Sequence, residues 1–185
     1  MKSKVLTDIE LDKVINGTSN QGKWGNRNKM LLLMTHMSGI RRSELAALDI
    51  PDVLNMNGEV KTEVQLPNRT LVLPKQLQKE LQAYIAEQFE LTTLNCVAHT
   101  HKGVPLFFTQ KQHAFSPTSL SQVFTAIYKR AGIEGTTKTG RQTWLNTLLV
   151  RGANTKAVKV LAGQTRLTKA VQPNPAILRA VAEMI

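Results

Sequence analysis

Gly39-Ile40-Arg41-Arg42-Ser43-Glu44-Leu45 is the stretch on which the reading of this chain turns. A helix-forming run, Asn28 to Ser38, leads into it. Gly39 supplies a residue that can adopt the left-handed conformation and end that helix. A second helix is expected over about Arg41–Leu48, with Pro51 and Asp52 interrupting it. Arg41 then stands at a helix start, where a positive charge opposes the dipole unless an anion is held there. A second arginine-centred stretch, Lys138-Thr139-Gly140-Arg141-Gln142-Thr143-Trp144, lies far along the chain. A guanidinium is planar and forks two hydrogen bonds onto phosphate oxygens. Two such arginines brought together by folding would concentrate positive charge on one phosphate.

The charge distribution points the same way. The net charge of +11 in 185 residues is lopsided: residues 1–100 balance to +1 and residues 101–185 to +10. A half-chain field of one sign suits a polyanion, with duplex DNA the first candidate. An acidic membrane surface fits less well, because the basic residues are scattered among helical patterns. The longest apolar run, Met30 to Met34, is too short to cross a bilayer. Cys96 is the sole cysteine, so no intrachain disulfide forms, and the polar N-terminus does not read as a signal segment. A cytoplasmic protein is expected.

Outward from the arginine stretches, the pattern is mostly helical. Thr7-Asp8-Ile9-Glu10 is a capping box opening a short helix. Gly17 to Asn28 reads as a polar loop. Asn57-Gly58 and Pro67-Asn68 are turn signals around alternating Val60, Val64 and Leu66 and the run Leu71-Val72-Leu73, which predicts a small antiparallel sheet. Helices are expected over Pro74–Phe89, from Ser116-Pro117 through Tyr128 with Gly132 ending it, and at about 140–151 and 154–162. Thr92 to Pro117 is irregular, with Leu106-Phe107-Phe108 as a buried plug or short strand. Asn174-Pro175 starts a final helix whose apolar face is Ile177, Leu178, Val181, Met184 and Ile185. The expectation is one α+β, mostly α-helical domain over 1–185, with a C-terminal helix at about 174–185 able to dock or be exchanged.

This order resembles the catalytic domain of the tyrosine recombinases, the phage-integrase family. Leu6-Thr7-Asp8-Ile9-Glu10-Leu11 is similar to the start of that domain. Gly39 to Leu45 resembles its first box, which makes Arg41 a scissile-phosphate ligand. Tyr128-Lys129-Arg130-Ala131-Gly132-Ile133 leading into Thr139-Gly140-Arg141-Gln142-Thr143 resembles the second, which makes Arg141 the other. Leu161-Ala162-Gly163-Gln164 resembles a Leu-Ala-Gly-His stretch, and Leu178-Arg179-Ala180-Val181 the helix after the nucleophile.

The chain departs from that pattern where the chemistry is done. Gln142 and Gln164 stand where the family carries basic or aromatic groups, and Lys138 is a permitted variant. The lysine of the β-hairpin has no clear counterpart; Arg69 and Lys61 are the nearest cations. The position of the nucleophile falls near Pro173 or Ala170, and no tyrosine occurs between Tyr128 and Ile185. In this family a phenolic oxygen attacks the phosphodiester while the arginines stabilise the phosphorane. Without it, Arg41, Lys138, Arg141 and Gln164 read as a vestigial site that binds a phosphate and delivers nothing to it.

The other candidates divide on chemistry. Arg42, Lys129, Arg130, Arg166 and Lys169 read as a basic face that positions a duplex through its phosphates. Tyr128 lies beside Val123, Phe124 and Ile127 and reads as packing. His99, His101 and Cys96 fit no closed metal site, and no metal or cofactor is expected. The resemblance implies a DNA-binding, catalytically inactive pseudo-recombinase, serving as a transcription regulator or accessory factor of a mobile element such as a plasmid. Two alternatives stay open: a recombinase with a non-standard nucleophile, and a module docking on a true recombinase. The expected partner is double-stranded DNA, with no membrane, and the apolar C-terminal helix suits a homo-oligomer.

Overall fold

The computed structural model describes residues 4–19, 22–88, 103–164 and 175–185. Helix α1 (Asp8–Ser19) starts at the capping box: the Glu10 amide donates to Thr7 Oγ1 (3.3 Å), and the Thr7 amide donates to Glu10 Oε2 (3.0 Å). Between Gly17 and Asn28 the structure departs from the expected loop. α1 continues to Ser19, a 3-10 turn follows at Gly22–Trp24, and α2 (Gly25–Ser38) is already under way at Gly25. The polar side chains here are consumed internally. The Thr18 and Ser19 hydroxyls donate back to the Val14 and Ile15 carbonyls. Arg27 is buried against the Trp24 and Phe115 rings and donates to the Phe108 carbonyl (2.8 Å). Polarity that is buried and satisfied is compatible with a helix, although in sequence it reads as a loop.

α2 is the centre of the molecule. Met30, Leu31, Leu32, Leu33 and Met34 are all buried, so the helix is covered on every side rather than amphipathic. Gly39 ends it in the left-handed region (φ 60°), as the sequence predicts, and the Trp144 ring packs where a Cβ would stand. α3 (Arg42–Ala46) follows and is shorter than expected. Pro51 does not break a helix; it lies in the first turn of α4 (Ile50–Val53), where its missing N–H costs nothing.

The predicted sheet is present as β1 (Glu63–Leu66) and β2 (Arg69–Val72), antiparallel, with Val64 opposite Leu71 and Leu66 opposite Arg69. Pro67-Asn68 forms the connection, which puts Arg69 at the first position of β2. α5 (Lys75–Gln88) packs on α2. Residues 103–116 contain no helix and no strand, and Leu106 and Phe107 are buried as a plug. Cys96, His99 and His101 lie outside the described residues. α6 (Pro117–Arg130) starts at the Ser116 cap, and Gly132 follows it at φ 69°. α7 (Thr137–Val150) packs on α2 through Gly140, where a Cβ would lie 2.7 Å from Thr35 Cβ.

α8 (Thr155–Leu161) and α9 (Pro175–Ala182) complete a second apolar cluster. Val72, Trp144, Leu148, Ala157, Val158, Leu161, Val181 and Ala182 join β2, α7, α8 and α9 there. The last helix is tied to its own chain by Arg179 Nε on Glu63 Oε1 (2.8 Å) and by Arg151 donating to the Met184 and Ile185 carbonyls. Among the described residues, no helix is long and apolar enough to cross a membrane.

Candidate phosphate-binding site

Four segments meet where the two apolar clusters join: the turn after α2, the start of β2, the first half of α7 and the C-terminal end of α8. Each of the first three contributes one arginine. Arg41 enters from the residue before α3, Arg69 from β2 and Arg141 from α7. Their guanidiniums form a closed ring with shared acceptors. Arg41 Nη1 and Arg69 Nε both donate to Glu44 Oε1 (3.2 and 3.1 Å), and Arg69 Nη2 reaches Glu44 Oε2 (2.8 Å). Arg41 Nη2 and Arg141 Nη2 both donate to the Ala162 carbonyl. Arg69 Nη2 and Arg141 Nη1 both donate to the Gly39 carbonyl. Two further carbonyls complete the set: Gly163, which accepts from Arg41 Nη2 at 2.7 Å, and Leu161, which accepts from Arg69 Nη1.

The ring explains how three cations tolerate each other. Leu161, Ala162 and Gly163 offer the carbonyls at the C-terminal, electronegative end of α8. Arg41 thus lies near the start of α3, as the sequence predicts, but its guanidinium faces the favourable pole of α8. The Glu44 carboxylate also accepts the Arg41 backbone N–H (2.7 Å). Burial acts to raise the Glu44 carboxyl; the hydrogen bonds and charges of Arg69 and Arg41 outweigh it and hold it below its ordinary value. Burial, then the charges of Arg69 and Arg41, lower Arg141 to about 10, with Glu44 opposing them. Arg141 stays protonated at neutral pH. Three guanidiniums against one carboxylate leave two net positive charges in the cluster.

Gly163 is required by this geometry. It adopts φ +59°, and a Cβ there would lie 2.6 Å from Arg69 Cδ and 3.3 Å from Arg41 Nη2. The Arg41 side chain is 37% exposed and the Arg69 side chain 4%. Of these two, Arg41 is the one open to solvent.

Arg41 and Arg141 are brought together. Lys138 is exposed in the first turn of α7, and Gln164 is exposed just beyond the carbonyls that the arginines hold. Arg42 is exposed and donates to Ser121 Oγ (2.5 Å). Lys129 and Arg130 are exposed at the end of α6. Arg166 and Lys169 lie outside the described residues. Tyr128 is fully buried, with His36 Nε2 3.0 Å from its hydroxyl, and burial raises its phenol far above the ordinary value. Tyr84 is buried likewise and donates to the Leu106 carbonyl. Sequence reasoning passed over Glu44 and gave Arg69 no firm place. The available signals were a glutamate three residues beyond Arg41, at capping distance, and a lone arginine following a turn.

The chain belongs to the phage integrase family, whose model matches residues 4–172. It is 24% identical over 168 residues to tyrosine recombinase XerC of Pelotomaculum thermopropionicum, covering 89% of this chain and 55% of that protein. It is 28% identical over 174 residues to tyrosine recombinase XerD of Xanthomonas axonopodis pv. citri, covering 89% and 56%. The chain thus spans a little over half the length of these curated relatives. Its fold is similar to that of XerA recombinase (TM-score 0.68, 19% identity, 96% of this chain and 61% of that one). It is similar also to the Tn1549 transposon integrase in complex with circular intermediate DNA (TM-score 0.68, 16% identity, 97% and 64%).

Proposed function

We propose that this integrase-family chain grips duplex DNA by its backbone, with Arg41 and Arg141 closing on one phosphate, and does not cut it. One observation carries the reading: two arginines from opposite halves of the chain donate to the same Ala162 carbonyl. A phosphate oxygen can accept from two guanidiniums as this carbonyl does, and more strongly because it is charged, which supports the reading. The cluster's net positive charge favours that exchange, and Arg41 is open to solvent on one side. Lys138, Gln164, Arg42, Lys129 and Arg130, with Arg166 and Lys169, extend the contact as a basic face along neighbouring phosphates.

The proposed inactivity rests on the sequence and on burial. No tyrosine lies between Tyr128 and Ile185, and both phenols of the described residues are buried and hydrogen-bonded. A phenol that is buried and resists ionisation is a poor nucleophile. The role proposed is that of a cytoplasmic regulator or accessory factor of a mobile element, with 1–185 acting as one integrase-like unit. Self-association through α9 belongs to the same proposal and requires Val181 and Ala182 to leave their own core. The test is a duplex nicked so that cleavage traps a covalent intermediate. Retention in a native gel with no adduct in a denaturing gel is expected. An adduct would establish a working nucleophile and replace this reading with that of an active recombinase.

A further inference from the structure

Arg69 differs from the two arginines assigned to phosphate. Its side chain is 4% exposed, so no face of its guanidinium is open to a ligand. Its Nε, Nη1 and Nη2 all donate, and their acceptors belong to three separate segments: Glu44 in α3, Gly39 in the turn after α2 and Leu161 at the end of α8. Two of those acceptors are shared. Glu44 Oε1 is held jointly with Arg41, and the Gly39 carbonyl jointly with Arg141. Arg69 therefore sets what remains for each of the other two. Without it, Glu44 would spend its whole charge on Arg41, and the Gly39 carbonyl would turn to Arg141 alone.

We infer that Arg69 is a positioning residue: it closes the ring that aims Arg41 and Arg141 at a DNA phosphate, and does not touch that phosphate itself. The inference rests on the phosphate-gripping reading given above. Two physical requirements follow. The first is charge: Arg69 neutralises Glu44, so Glu44 does not quench Arg41, and the cluster keeps two net positive charges instead of one. The second is shape. A guanidinium donates from three nitrogens in one plane and spans three segments at once, whereas a lysine ammonium is a point donor on a flexible stem. Arg69→Lys retains the charge and loses the fork, so it separates the two requirements.

The experiment measures affinity for a short mixed-sequence duplex at low salt, using the full chain and the variants Arg41→Ala, Arg141→Ala, Arg69→Lys and Arg41→Ala/Arg69→Lys. Arg69→Lys is expected to weaken binding by about as much as Arg41→Ala, roughly fivefold to tenfold. The double variant should lose less than the product of the two single losses, because part of the effect of Arg69 passes through Arg41 and the rest through Arg141. If Arg69→Lys binds like the wild type, or if the two losses multiply, the inference is overturned while the phosphate reading stands. If neither Arg41→Ala nor Arg141→Ala weakens binding, both fall together.

A second measurement follows the wild-type protein itself. Its arginine Nε–H resonances, assigned with the Arg41, Arg141 and Arg69 variants, are followed as duplex is added. The Arg41 and Arg141 signals should move furthest, and the Arg69 signal less than either, through its shared acceptors alone. An Arg69 signal that shifts as far as that of Arg41 would place it on the phosphate and overturn the inference.

Discussion

Glu44→Gln removes one negative charge and leaves the outline of the arginine ring unchanged. In the wild type, Glu44 is 11% exposed and takes two bonds from Arg69, which is 4% exposed. Removing one partner of a buried ion pair costs about 3–5 kcal/mol, because the other charge is left uncompensated. Here the loss is smaller. Arg69 keeps the Leu161 and Gly39 carbonyls, and Arg41, 37% exposed, exchanges the carboxylate for water. A destabilisation of about 2 kcal/mol at pH 7 is expected, equivalent to roughly 4–8 °C in Tm for a chain of this size. The pH dependence has a definite sign. The folded-state value of Glu44 is lowered, so its stabilisation is present above the unfolded value and is lost as pH falls through the lower, folded one. Urea unfolding of wild type and variant should therefore show a gap at pH 7 that narrows below roughly pH 4. A gap under about 0.5 kcal/mol at pH 7, or one unchanged in acid, would refute the reasoning.

Two further changes test the surroundings of the ring. Gly163→Ala places a Cβ 2.6 Å from Arg69 Cδ at φ +59°, and thermal unfolding should register a loss of about 1–3 kcal/mol; a neutral result would mean that the turn is not held as described. Burial lowers His36 to about 4, so the folded state favours its neutral form. Its stabilisation is full above the unfolded value near 6.5 and falls as pH drops toward about 4, by roughly 3 kcal/mol over that window. His36→Leu should flatten the stability profile over the same interval; a profile that keeps its slope would assign the acid sensitivity to other groups.

What the sequence disclosed were the features whose causes are local. Gly39, Gly132, Pro117 and Pro175 mark helix ends because backbone conformation at those positions depends on the residue itself. Alternation and turn residues revealed the β1–β2 pair in the same way. The stretch from Gly17 to Asn28 reads as a loop because the pattern does not disclose how its polar groups are satisfied: Thr18 and Ser19 bond back into their own helix, and Arg27 is satisfied by Phe108 and two aromatic rings. The same holds at the candidate site. Arg41 and Arg141 stand in recognisable motifs. Arg69 stands in none, since its acceptors come from three segments that only the fold assembles, and two of the four ring segments contribute backbone carbonyls that no residue pattern discloses.

The most direct measurement is the salt dependence of duplex affinity for the wild type and for Arg41→Ala/Arg141→Ala. A chain that neutralises several phosphates should lose affinity steeply as salt rises, and removing the paired arginines should lower the slope by about one or two and weaken binding at every salt concentration. A wild type that ignores the duplex at low salt, or a double variant with unchanged slope and affinity, would contradict the account.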